Sequence, residues 1–178
     1  MNFLLTDQET NRLKFRILTM QDFETWLPLF KEKDVAKFLA MDPGLSEHEL
    51  CEKWFEKSMH RYENELGGMN VMIDKNTNEF IGQCGLLIQK IENIDRLEIG
   101  YSILPKFWGK GYASEAAIKC KNFAFESRFS ESLISMVHIE NIGSEIVAKR
   151  NGMTVERRID DSNIFSIDQK QWEFQKEI

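Results

Sequence analysis

Cysteine is scarce in this chain, and its few copies form no pattern. Cys51, Cys84 and Cys120 are odd in number and far apart. Such a set makes neither a disulfide framework nor a zinc motif, and it suits a reducing, cytoplasmic setting. Histidine is equally sparse: His48, His60 and His138 are scattered, so no metal site is expected. Only Pro28, Pro43 and Pro105 interrupt the chain, with no repeat, low-complexity tract or linker. One domain over residues 1–178 is therefore expected. No apolar run approaches the roughly 20 residues of a membrane span. The opening MNFLLTDQET has neither a basic segment nor a long apolar core, which argues against a secretory signal. Positive charge is not in excess: the net charge is -6, against the basic footprint of a nucleic-acid binder and compatible with a cationic substrate.

What is present is an ordinary globular mixture. Of 178 residues, 42% are apolar and 29% charged, enough for a domain with its own core. RLKFRIL (12–18) alternates Leu13, Phe15 and Ile17 against three cations and reads as a strand. Thr19 can cap a helix from about Gln21 through WLPLFKE, and DVAKFLA (34–40) reads as a second short helix. MDPG (41–44) is a turn, and Ser46 with Glu49 forms a capping box opening a helix over 47–64. A meander of strands follows at 69–74, 79–91 and 96–104, with Gly82 and Gly85 suggesting a bulge or bend. Then come a helix (111–126), a strand (132–139), a helix (141–152), and strands at 153–159 and 163–174 paired as a hairpin.

The stretch PKFWGKGYASEA (105–116) joins a strand to a helix through two glycines. A helix start carries unpaired N–H groups and the positive dipole end, so it attracts anions. Gly109 and Gly111 allow close approach of backbone to a ligand, and Lys110 adds charge. Gly111 after the lysine breaks the Walker pattern, and Ser114 stands where a dinucleotide fingerprint needs a third small residue. On the loop alone, a phosphate cradle and a tight structural turn are about equally good readings. About thirty residues on, NIGSEIVAKRNGM (141–153) opens another helix directly after a strand, with Asn141 as cap and Ser144 one turn in.

Together, EIGYSILPKFWGKGYASEA and NIGSEIVAKRNGM resemble the GNAT superfamily of acetyl-CoA-dependent N-acetyltransferases, within it the branch that acetylates ribosomal-protein N-termini. Trp108, Gly111 and Ala113 occupy the family's Gln/Arg-x-x-Gly-x-Gly/Ala positions, with Trp in place of Gln/Arg. The resemblance covers about Arg12 to Trp172 and is weakest over 34–66. It implies an α/β (α+β) single domain with a central mixed, mostly antiparallel twisted sheet flanked by helices. It implies acetyl-CoA as co-substrate, bound by Ile103, Trp108, Gly109, Lys110, Gly111, Tyr112, Ala113, Ser114 and Asn141. It implies direct attack by an amine, with Glu98 as base, a backbone N–H near Ile99–Tyr101 for the oxyanion, and Ser144 near the leaving thiolate. A tyrosine acid one turn further along that helix is unavailable, since Val147 and Ala148 stand there. It implies a small-molecule or peptide amine as acceptor and is compatible with a homodimer. The rivals are a non-catalytic acyl-CoA-binding or regulatory domain and a nucleotide-binding module. Cys84 reads better as a buried strand thiol than as a nucleophile, His138 as a structural histidine, and Glu115 as a helix-start acid.

Overall fold

A computed structural model of the chain describes residues 3–176. Seven strands form one sheet: β1 (Leu13–Arg16), β2 (Gly67–Asp74), β3 (Phe80–Ile91), β4 (Ile94–Ile103), β5 (Ser132–His138), β6 (Thr154–Ile159) and β7 (Ser162–Asp168). Their order is β1-β2-β3-β4-β5-β7-β6, antiparallel throughout except for the parallel pair β4 and β5. That exception follows from connectivity. β2, β3 and β4 are joined by short turns, whereas β4 reaches β5 through a loop and the helix α4 (Tyr112–Glu126).

The β3–β4 turn has two residues, Glu92 and Asn93, both at positive φ (49° and 66°), as a twisted hairpin requires. Lacking glycine, it is poorly marked in the sequence, and β4 starts two residues earlier than the expected Leu-rich run. The bulge expected near the strand glycines lies at Ile81: Met72 faces Gly82, and Ile73 faces Phe80. Gly85 has another purpose. A β-carbon there would stand 2.0 Å from the Gly68 carbonyl oxygen. Gly85→Ala is therefore expected to cost about 1–3 kcal/mol, seen as a Tm lowered by several degrees.

The helix α3 (Glu47–Glu63) covers one face of the sheet with the short helices α1 (Phe23–Trp26) and α2 (Val35–Phe38). Its capping box is formed: the Glu49 N–H donates to Ser46 Oγ and the Ser46 N–H to the Glu49 carboxylate. Trp26, fully buried, meets Trp54 at 5.9 Å and Phe80 at 5.6 Å between ring centroids. The helix expected from about Gln21 through Glu32 is instead broken into 3₁₀ turns at Met20–Asp22 and Leu27–Lys31 on either side of α1, with Pro28 near the start of the second. α4 covers the other face with a seam of small residues: Ala116, Ala117, Cys120 and Ala124 are fully buried.

The last strand corrects the expectation from sequence. β7 ends at Asp168, and residues Gln169–Lys176 form a helix, α6. The Gln171 N–H donates to Asp168 Oδ1 and the Asp168 N–H to Gln171 Oε1, a reciprocal cap that stops the strand and starts the helix. Trp172 then packs on Phe125 at 5.2 Å between ring centroids.

Candidate active site

β4 and β5 are paired only at Leu97–Leu133 and Glu98–Ile134. Beyond these positions the two strands part, and a cavity of about 900 Å³ opens between them. Its walls are β4 from Glu98 to Ile103, the loop after β4, the start of helix α5 (Ile142–Arg150), and residues of α3. A smaller cavity of about 430 Å³ beside β1 holds none of the candidate residues.

Strand alternation decides which backbone groups face the opening. The Ser135 hydroxyl donates to the Ile99 carbonyl (2.8 Å), and the Trp108 indole N–H donates to the Ile103 carbonyl (2.7 Å). Ile99 and Ile103 thus turn their polar backbone away from β3. Tyr101, midway between them, presents its N–H and C=O to the same side.

At the far end of β4, Gly109 and Gly111 sit at φ +73° and +81°, and a β-carbon on Gly109 would meet nothing within 4 Å. Gly111 is the N-cap of α4, whose first N–H groups are thereby bared. Trp108, Gly109, Gly111, Tyr112, Ala113 and Ser114 line the cavity; Lys110 does not, and its ammonium lies 5.2 Å from the Phe107 ring centre. The loop is bolted to β1 by Glu115. Its carboxylate accepts from Arg12 Nε (2.6 Å), the Arg12 N–H (3.0 Å) and the Thr10 hydroxyl (2.5 Å), while Arg12 also donates to the Lys110 carbonyl (3.0 Å). A helix-start acid thus acts as a brace across some hundred residues. Arg12→Ala is expected to cost about 1 kcal/mol in urea unfolding, a small figure because the guanidinium is partly solvated.

At the near end, Glu98 is buried and accepts from the Met136 N–H (3.2 Å). Burial pushes its carboxyl pKa up, against the opposing pull of hydrogen bonds from Gln89 and Met136 and the charges of Arg61 and Lys57. Arg61, also buried, donates to the Leu66 (3.3 Å) and Ile88 (3.0 Å) carbonyls and to Gln89 Oε1 (3.0 Å). A carboxyl with a raised pKa in a cleft is suited to exchanging a proton with a bound group.

The start of α5 forms the remaining wall. Asn141 Oδ1 accepts from the Ser144 N–H (3.1 Å), and both residues line the cavity. The Tyr101 hydroxyl donates to the Ser144 carbonyl (2.8 Å), and burial raises the phenol's pKa. A tyrosine therefore does reach this helix, from β4. His138 also faces the cavity, with Nδ1 accepting from the Glu140 N–H (3.1 Å). Cys84 lies elsewhere: it is buried 3.4 Å from Cys120 Sγ, with its thiol pKa pushed up by burial, a poor setting for a nucleophile.

Sequence reasoning missed Lys57, Arg61, Gln89 and the Tyr101 side chain. One signal was available: Lys53, Lys57 and Arg61 recur every four residues on one helix, a like-charge row that is unfavourable without a compensating role. Nothing local marks Gln89 or Tyr101.

Comparison with known proteins bears on this arrangement. A family model described as "Acetyltransferase (GNAT) domain" matches residues 12–154. An uncharacterized protein, YkkB, of Bacillus subtilis (strain 168) is 34% identical over 154 residues, covering 84% of this chain and 86% of that one. The crystal structure of an acetyltransferase from Agrobacterium tumefaciens str. C58 superposes with a TM-score of 0.76 at 25% identity, covering 91% and 94% of the two chains. A spermidine N-acetyltransferase from Vibrio cholerae, solved with CoA and spermine, has a TM-score of 0.69 at 21% identity over 92% and 99%, a likeness of fold. With its family model matched over most of its length, its mixed sheet and its parted central strands, this chain belongs to the GNAT acetyltransferases.

Proposed function

We propose that the protein transfers an acetyl group from acetyl-CoA to a primary amine by direct attack in a ternary complex. The observation that carries this reading is one cavity with three features: a bared helix start behind Gly111, a free strand edge at Tyr101, and a buried carboxyl at Glu98. The loop suits the pyrophosphate of coenzyme A. It offers N–H donors at the start of α4 and open space where Gly109 lacks a β-carbon.

When bound, acetyl-CoA supplies the activated acetyl thioester. The chain's residues supply the rest. Glu98 takes a proton from the incoming ammonium, directly or through a water, since only the free amine attacks. The Tyr101 N–H, aimed into the cleft, is placed to stabilise negative charge on the carbonyl oxygen. Ser144 stands at the start of α5, where the leaving thiolate needs a donor, and the Tyr101 hydroxyl, spent on the Ser144 carbonyl, holds that turn in place. Trp108 holds the Ile103 carbonyl, which leaves the Ile103 N–H to the pantetheine arm, and Asn141 extends that wall.

Calorimetric titration with acetyl-CoA, with ATP and NAD as controls, tests the reading first. Saturable binding of acetyl-CoA alone is expected, followed by CoA release in the presence of an accepted amine. Binding without release across an amine panel would leave a cofactor-binding domain without turnover. Preference for ATP or NAD would overturn the assignment.

A further inference from the structure

The charge of the cavity wall is opposite to that of the chain. The protein carries a net charge of -6, yet Lys33, Lys57, Arg61 and Arg150 line the cavity against Glu98 and Glu140. Glu140 is already paired with Lys37 at 2.5 Å. Arg61 is buried, and its bonds go to neutral acceptors: two backbone carbonyls and the Gln89 carboxamide. Lys57, one turn earlier on α3, makes no hydrogen bond or salt bridge among the described residues. Two cations on one helix face therefore confront a single carboxylate.

They are misplaced for the cofactor's pyrophosphate. Ile103 at the loop stands five positions along β4 from Glu98, which feels the charges of Arg61 and Lys57, a span of about 17 Å. The cations stand at the amine end of the cleft. A polyamine there would meet like charges, which costs affinity. An acceptor with its amine at Glu98 and an anion beside it would balance the surplus.

We propose that the acceptor bears a carboxylate close to its reactive amine, and that Lys57, with Arg61 behind it, binds that carboxylate. This deepens the acetyltransferase reading and rests on it. The carboxylate can be the α-carboxylate of a free amino acid or an acidic side chain next to a peptide N-terminus.

The test compares amino acids with their carboxamides, N-terminal dipeptides with acidic or neutral second residues, and spermidine. The quantity compared is kcat/KM for total amine at one pH, since the acceptor arrives as the ammonium and Glu98 takes its proton. Acids are expected to exceed their carboxamides at least tenfold, and the arm that wins tells free amino acid from peptide. In Lys57→Gln the acid-to-carboxamide ratio should fall about tenfold, through KM. A role confined to tuning Glu98 would lower both substrates equally and shift the pH profile, and would overturn the proposal. So would a preference for spermidine or the carboxamides. Thermal stabilisation in the presence of CoA gives a readout without turnover. Acids that stabilise the parent more than Lys57→Gln, with no acetylation, would uphold the carboxylate site and reject the transferase reading. Equal stabilisation of parent and variant, with no acetylation, would reject the site.

Discussion

Glu98→Gln is expected to cut turnover by about 10²–10⁴-fold while acetyl-CoA binds as in the parent. The substitution keeps the shape of the side chain and an oxygen able to accept from the Met136 N–H. It removes only the proton-accepting charge. In the parent, kcat/KM should rise with pH through a carboxyl pKa above the usual range, because the ionised form is the base. The variant should lack that acidic limb; an unaltered pH–rate profile would exclude Glu98 as the base.

Stability should move the other way. A carboxyl whose folded pKa exceeds its unfolded value, about 4.3, favours folding below that value. The contribution is lost as pH rises through the folded pKa. At pH 7, above the unfolded value, the raised folded pKa of Glu98 is a cost that glutamine does not carry. Glu98→Gln should thus match or exceed the parent's Tm at pH 7, and the difference should shrink toward pH 4. A clear loss of Tm at pH 7 would show that the ionised carboxylate instead holds the cleft together.

Gly111→Val should raise the acetyl-CoA dissociation constant by tenfold or more. Gly111 adopts φ +81°, a region that costs an L-residue roughly 1–2 kcal/mol and a β-branched one more. The added atoms meet little of the protein, since a β-carbon would contact only Arg12 Nη2, at 3.6 Å. The damage is conformational: to escape the strain the turn must shift, and the N–H groups at the start of α4 lose their common aim. About 1.4 kcal/mol of such strain suffices for the tenfold change. An unchanged dissociation constant by calorimetry would remove the loop from the binding site. With α4 still packed through its alanine seam, the variant should fold, with a modestly lowered Tm.

The parts of the molecule legible in the sequence are those with local causes. The Ser46–Glu49 cap, the Asn141 cap and the glycine turn before α4 each depend on residues within four positions of one another. Alternation also marked β1, and short runs bounded by turn residues marked the meander. Reading failed where a local pattern was ambiguous. Residues 163–174 alternate well enough for a strand, yet the reciprocal bonds of Asp168 and Gln171 turn the chain into a helix. Glu115 looked like a helix-start acid, and its real partners, Thr10 and Arg12, lie more than a hundred residues away.

By itself the sequence determined most of the elements, the loop and the family pattern, because backbone preference and capping act over one or two turns. The tertiary structure alone decided where chemistry can occur. The cleft exists because β4 and β5, thirty-six residues apart in register, pair twice and then separate. The charges of Lys57 and Arg61 act on Glu98 because α3 lies across the sheet there, and the Tyr101 hydroxyl bonds the start of α5 from β4. Such placements follow from burial and strand register, which sum contributions from the whole chain.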